Sequence, residues 1–226
     1  MTSGAVAGLV LAAGSGTRFG GGKLRAPLEG RPLVGHVLAA ARAAGIERLV
    51  LVLGRDAADV RAALVATGPT ALDGVMVAVN GAPERGLASS LRLGLAAATA
   101  SPVPSGVLVF LGDQPRVRPV VIAAVVAAAS AAAPDTRAVV PSYADDGAPN
   151  PVLLLPPSWA RAARLEGDRG VAPWLASRPE LVVRVPVAGT NPDVDTPQDL
   201  ADLADRPDLP DLPDLPATAA LEEVHP

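Results

Sequence analysis

A single lysine, Lys23, closes the glycine-rich stretch LVLAAGSGTRFGGGK at residues 9–23, and the remaining members of the chain's nineteen Lys and Arg are all arginine. A lone ammonium kept at the end of a loop of small residues reads as chemical rather than compositional. Glycines at 14, 16, 20, 21 and 22 let backbone amides approach a ligand without Cβ obstruction, and Arg18 and Lys23 bracket them. That combination is an anion cradle. Lysine suits a phosphate whose charge redistributes during reaction, because its ammonium is compact and its stem flexible. Two familiar phosphate-binding patterns fail on spacing. In G-x-G-x-x-G, Gly14 and Gly16 fit but the third glycine position holds Phe19. In G-x-x-x-x-G-K-[ST], Thr17 replaces the first glycine and Leu24 the magnesium-binding hydroxyl. The plainer alternative makes Lys23 a surface residue beside a tight turn.

A second chemical feature is VLVFLGDQP at 107–115, where Asp113 lies just past the carboxyl end of an apolar strand. Open α/β sheets bind ligands there. A magnesium ion takes one or two protein carboxylates besides phosphate oxygens and water, so one such aspartate is a sufficient anchor; the alternative makes Asp113 and Pro115 a turn. NPDVDTPQDL at 191–200 adds Asp193 and Asp195 ahead of a helix whose N-cap is Thr196, with Pro197 as first helical residue and Asp199 as reciprocal cap partner. Capping accounts for Thr196 and Asp199 and leaves Asp195 unexplained. Ser89 and Ser90 open an amphipathic helix, where capping would use one of them. Asn80 ends a strand as a polar contact or a turn residue, and Asn150 sits between two prolines in an extended backbone. The histidines, His36 in a helix and His225 near the carboxyl end, argue against a Ser-His-Asp triad and a multi-histidine metal site.

The elements that must position these residues alternate in the manner of a doubly wound α/β fold, with a mostly parallel sheet covered by helices on both faces. Strands are expected near 5–12, 47–53, 75–79, 106–111, 137–141, 151–155 and 181–187, and helices near 32–44, 56–66, 87–98, 118–130, 158–164, 171–177 and 197–204. Residues 1–205 read as one domain. In 206–226 the triplet Pro-Asp-Leu repeats, and that proline density prevents continuous helix or ladder, so this stretch is expected to be an extended or disordered tail.

Composition removes other classes. With 50% apolar residues but 2% aromatics, the core must be built from Val, Leu, Ala and Ile. The absence of cysteine excludes thiol nucleophiles, disulfides, iron–sulfur ligation and cysteine zinc sites. A net charge of −4 with few stacking side chains argues against nucleic-acid binding. The first basic residue is Arg18, and the longest uncharged apolar stretch, 120–133, is too short for a bilayer. These features lead to the expectation of a cytoplasmic chain with no membrane partner.

The stretch LAAGSGTRFGGGK resembles the nucleotidyltransferase signature L-x-x-G-x-G-T-R-[MF]-x-x-x-K, and LRAPLEGRPLVGHVL after it resembles that family's continuation into its first long helix. GDQP is similar to the metal-binding segment of the MobA-like branch that contains the molybdenum-cofactor cytidylyltransferases. The resemblance spans residues 5–204. It implies that Leu11, Ala12, Ala13, Gly14, Ser15 and Gly16 hold base and triphosphate, with Arg18 and Lys23 on phosphates. It further implies that Asp113 and Asp195 hold Mg2+, that Asn80, Ser89 and Ser90 lie near base and ribose, and that Asn150 and Asp168 (in EGDRG, 166–170) face the acceptor. The arginine that often follows the family's GDxGA form is missing, since this chain reads VAPWL. The implied reaction joins an NTP, CTP by the closest resemblance, to a phosphorylated acceptor, molybdopterin, with a molybdoenzyme or its chaperone as the onward partner. Two rivals remain: an NAD(P)H-dependent reductase of the nicotine-blue oxidoreductase type, for which paired aspartates are superfluous, and a non-catalytic nucleotide-binding adaptor.

Overall fold

The computed structural model describes residues 5–144, 148–168 and 170–205. In chain order these form β1 (Ala7–Ala12), the short pair β2 (Pro27–Leu28) and β3 (Arg31–Pro32), α1 (Leu33–Ala43), β4 (Arg48–Leu53), α2 (Ala57–Ala66), β5 (Val75–Val79), α3 (Leu87–Ala98), β6 (Val107–Leu111), α4 (Pro119–Ser130), β7 (Ala138–Tyr143), β8 (Val152–Leu154), α5 (Pro156–Ala162), α6 (Ala172–Ala176), β9 (Val182–Val187) and α7 (Pro197–Ala204). Every expected strand and helix is present within a few residues. The β2–β3 pair is additional, its strands too short to carry a periodicity. The expected tail, 206–226, lies outside the described residues.

Seven strands form one sheet in the order β5-β4-β1-β6-β8-β7-β9. β1 pairs in parallel with β4 and β6, β4 with β5, and β7 with β9, while β8 runs antiparallel to β6 and β7. The direction of β8 follows from its connection: residues 144–151 are fewer than the dozen or so that a parallel crossover needs. The fold is thus a doubly wound, mostly parallel α/β sheet with helices on both faces.

Alternation along the strands fills both faces. Val10 and Ala12 of β1 point to a core made with α1, α2 and α4, through Val37, Val60 and Ile122. Leu9 and Leu11 point to the opposite core, made with α3, α5 and α6, through Leu91, Ala162 and Leu175. Such two-sided burial is the reason the strands read as continuous apolar runs. Among the described residues no helix is long and apolar enough to cross a membrane.

Because β1, β4, β5 and β6 are parallel, their carboxyl ends line one rim, and the chain reverses its direction of strand addition between β1 and β6. The loop after β1 carries the glycines and Lys23; the loop after β6 carries Asp113. A third, small cluster ties the remaining acidic segment to this rim: Val194, 1% exposed, packs with Leu28, Leu33, Phe19, Leu200 and Leu203.

One close approach fixes the start of α3. Gly86 has φ 87°, and a Cβ there would lie 2.4 Å from the carbonyl carbon of Gly167, whose oxygen accepts from Ala88 N at 3.0 Å. Gly86→Ala is therefore expected to lower stability by about 1–3 kcal/mol through left-handed strain and displaced backbone. Chemical denaturation checks this, and a wild-type midpoint would contradict it.

Candidate functional site

The loop after β1 owes its path to glycine. Gly16, Gly20, Gly21 and Gly22 all have positive φ, of 58°, 86°, 93° and 67°. The carbonyl of Gly16 accepts from Phe19 N at 3.0 Å and Gly21 N at 3.1 Å, which folds the loop back on itself. Among the described residues, the amides of Gly14, Ser15 and Gly16 have no protein acceptor, so they are free to meet an anion. Gly22 opens a single helical turn, Lys23–Arg25. Leu24 in that turn is buried in the core, and this anchor sets the origin of the Lys23 side chain.

Lys23 Nζ donates to Asp113 Oδ2 at 2.6 Å and to Asp195 Oδ1 at 3.3 Å, while Arg18 Nη1 donates to Asp195 Oδ2 at 2.8 Å. Four residues from three loops thus form one network. The ammonium is the protected member, with its side chain 11% exposed against 76% for Arg18. Arg18–Asp195 is a surface pair worth about 0–1 kcal/mol, so the sheltered Lys23–Asp113 contact dominates. Burial alone would lower the Lys23 pKa; the charge and hydrogen bond of Asp113, then those of Asp195, outweigh it and hold the ammonium above its ordinary value.

Asp195 is positioned from both sides. Val194 N donates to Asp113 O at 3.0 Å, and the Val194 side chain is the plug of the small apolar cluster. The expected capping box follows it: Asp199 N donates to Thr196 Oγ1 at 3.2 Å, and Asp199 Oδ2 accepts from Thr196 N at 2.7 Å and Asp195 N at 2.9 Å. Those backbone donors hold the Asp199 pKa below its ordinary value.

A second group lies at the end of β5. Asn80, 7% exposed, donates from Nδ2 to Ser89 Oγ at 2.8 Å and Ser90 Oγ at 2.9 Å, and its Oδ1 accepts from Ala82 N at 3.0 Å. Neither serine caps α3 through its side chain; Ser89 Oγ instead donates back to Gly86 O at 2.8 Å. Asp168 is exposed and belongs to this neighbourhood, because a Cβ on Gly86 would lie 2.6 Å from its Oδ1. Leu11, Ala12 and Ala13 are buried below the glycines at the end of β1.

Asn150 joins a third group. Its carbonyl accepts from Tyr143 Oη at 2.8 Å and from Asn191 Nδ2 at 3.3 Å, and Asn191 Nδ2 also donates to Gln114 Oε1 at 3.2 Å. Asn150 N donates to Ala148 O at 2.7 Å, so the segment turns where the flanking prolines predicted an extended path. Gln114 and Asn191 are buried, and among the described residues Asn191 Oδ1 has no hydrogen-bond partner. Asn191 and Tyr143 carry no sequence signal as site residues, because the network arises from contacts between distant loops.

Asp113 and Asp195 suit a divalent cation: two carboxylates already converge on one positive charge, and hard oxygen donors are what magnesium takes. Among the described residues no set of three or more His, Asp or Glu side chains is gathered closely enough to cage a metal. That fits an ion completed by phosphate oxygens and water.

A family model described as a MobA-like NTP transferase domain matches residues 8–182. The crystal structure of Rv0371c from Mycobacterium tuberculosis is similar at a TM-score of 0.78 and 36% identity, covering 91% of this chain and 100% of that one. A manganese complex of Rv0371c superimposes at a TM-score of 0.73 and 34% identity, covering 89% of this chain and 98% of that one. The bifunctional protein GlmU of Parvibaculum lavamentivorans is 39% identical over 120 residues, 52% of this chain and 25% of that protein. The 2-C-methyl-D-erythritol 4-phosphate cytidylyltransferase of Cereibacter sphaeroides is 38% identical over 138 residues, 60% of this chain and 58% of that protein. The chain thus spans a quarter of the first of these curated relatives and somewhat over half of the second.

Asp193 sits beside the network on the exposed side. Crowding against protein, then the charges of Asp113 and Asp195, hold its pKa above the ordinary carboxylate value although part of the residue faces solvent. A raised folded-state pKa means that stability is regained as pH falls through it. Asp193→Asn is therefore expected to raise the melting temperature at pH 7, with an advantage that shrinks towards pH 4. Thermal denaturation at both pH values checks this; a loss at pH 7 would contradict it.

Proposed function

Because the chain belongs to the MobA-like NTP transferase family, we propose that it transfers the nucleoside monophosphate of CTP, with magnesium, to the phosphate of molybdopterin and releases pyrophosphate. The observation that carries this reading is the Lys23 ammonium shared between Asp113 and Asp195 at the end of a loop with free amides. Three similarities support its finer parts. A cytidylyltransferase lies among the relatives, Rv0371c forms a manganese complex, and GDQP resembles the segment of molybdenum-cofactor cytidylyltransferases. In this reading the reaction runs in the cytoplasm, and a molybdoenzyme or its chaperone receives the product.

In this reading residues 11–16 receive the nucleotide. The free amides of Gly14, Ser15 and Gly16 and the side chains of Arg18 and Lys23 meet the triphosphate. Asp113 and Asp195 would hold magnesium, which when bound neutralises charge on the phosphate oxygens. Asn80, Ser89 and Ser90 form the wall beside base and ribose; their hydroxyl and amide groups are mutually bonded, so they present a rigid surface. Asn150 and Asp168 face the acceptor, and Asn191, itself bonded to Gln114, holds the Asn150 carbonyl. The acceptor phosphate oxygen attacks the α-phosphorus in line as the bond to the departing pyrophosphate breaks. No side-chain nucleophile is required, because the attacking group is already anionic, so the protein's contribution is positioning and charge stabilisation.

Pyrophosphate release from each NTP with magnesium and molybdopterin tests the proposal, run in parallel with NAD(P)H oxidation. CTP- and metal-dependent turnover is expected, reduced on the order of a hundredfold or more in Lys23→Ala and Asp113→Asn proteins that remain folded. NAD(P)H oxidation that persists in EDTA would replace this reading with a reductase. Nucleotide binding with neither product would replace it with an adaptor.

A further inference from the structure

We propose that a second copy of this chain binds along β5, so that the two sheets join edge to edge, antiparallel, about a two-fold axis. β5 is one end of the seven-stranded order and β9 is the other. A strand with an open edge offers a row of unpaired backbone groups, and proteins that leave such an edge in water guard it with charge or proline. β9 is guarded in this way by Arg184 and Pro186. β5 reads VMVAV, and the stretch 74–82 around it holds neither a charged residue nor a proline.

The pairing of β5 with β4 fixes which groups are open. Asn80 N donates to Leu53 O at 2.8 Å. In a parallel pair, alternate residues turn both N–H and C=O towards one neighbour. Met76, Ala78 and Asn80 therefore face β4, while Val75, Val77 and Val79 turn their backbone groups away from the sheet. Val75 N is taken by Leu72 O at 3.0 Å. A two-fold axis at the strand's centre, Val77, matches the remaining groups to themselves. Val77 exchanges both bonds with its counterpart, and Val79 N of each copy meets Val75 O of the other.

Side chains along the edge fit the same occupant. Met76 is 53% exposed, Val79 55%, and Val65 at the end of α2, the helix leading into β5, 51%. Met76 and Val79 stand on opposite faces of the strand, so apolar surface flanks the open groups on both sides. With the axis at Val77, Met76 comes beside Ala78 of the second copy on one face, and Val79 beside Val75 of the second copy on the other. Charge sets the direction. Asp73 precedes the strand and Arg85 follows it; both are exposed, and among the described residues neither has an ion-pair partner, Glu84 being held by Arg55 at 2.9 Å. An antiparallel join brings the acid of each copy towards the base of the other, where a parallel join would set like charges together. Only the antiparallel join also closes as a two-fold dimer. The rims carrying Lys23 then lie at opposite ends of the joined sheet, and neither is covered.

Sedimentation equilibrium of the full chain over about 1–200 µM, with hydrogen exchange at both ends of that range, tests this. The expected result is a mass rising towards twice that of one chain, with exchange of the 75–79 segment slowed about tenfold or more at the higher concentration. Met76→Lys places a charge on the exposed edge, and Val79→Pro removes an outward N–H while leaving the bonds to β4 intact. Each variant, its fold checked by circular dichroism, is expected to weaken association about tenfold or more. A chain that stays monomeric throughout would overturn the inference, as would a dimer of unchanged affinity in both variants. A monomer whose 75–79 segment is already protected at the lowest concentration, and loses that protection when residues 206–226 are removed, would overturn it in favour of the chain's own carboxyl-terminal segment.

Discussion

The site depends on one ammonium lodged between two carboxylates, one from the middle of the chain and one from its carboxyl-terminal part. Asp113 follows β6, Asp195 precedes α7, and Lys23 ends the loop after β1; without the lysine, two like charges would face each other at the rim of the sheet. The Lys23–Asp113 distance of 2.6 Å and the shelter of the ammonium make this more than a surface pair. At such a position an unpartnered charge costs far more than a paired one returns. The same shelter makes the arrangement chemically ready, since a triphosphate and a cation can take over both halves of the network without leaving a buried charge alone.

The rest of the fold serves that convergence. Parallel pairing of β1 with β4 and β6 brings the glycine loop and the Asp113 loop to one rim at the point where strand order reverses. Leu24 and Val194 act as buried pegs beside the charged residues they position, one in the main core and one in the small cluster under α7. Capping adds a further fixing point, because Asp199 accepts from the Asp195 amide itself and so holds the backbone of the residue that meets Lys23 and Arg18.

Much of this was legible in the sequence because the signals are local. Strands buried on both faces give apolar runs, the glycines demand positive φ, and the Thr196–Asp199 box is written in four consecutive residues. Lys23 stood out by being alone. What was not legible depends on contacts across the chain. The β2–β3 pair has two residues in each strand, below any periodic signal. The Ser89 hydroxyl returns to Gly86 where capping chemistry would have it accept. The Asn191–Gln114–Asn150–Tyr143 network needs three loops in place before its bonds exist. No spacing of residue types in one segment encodes it.

The most direct test is a crystal structure of the chain with Mn2+ and a non-hydrolysable CTP analogue, located by the anomalous signal of the metal. The account expects the ion between Asp113 and Asp195, the Lys23 ammonium moved from its 2.6 Å contact onto phosphate oxygens, and the Gly14, Ser15 and Gly16 amides donating to the analogue. A nucleotide bound elsewhere, with the Lys23–Asp113 pair intact, would contradict it.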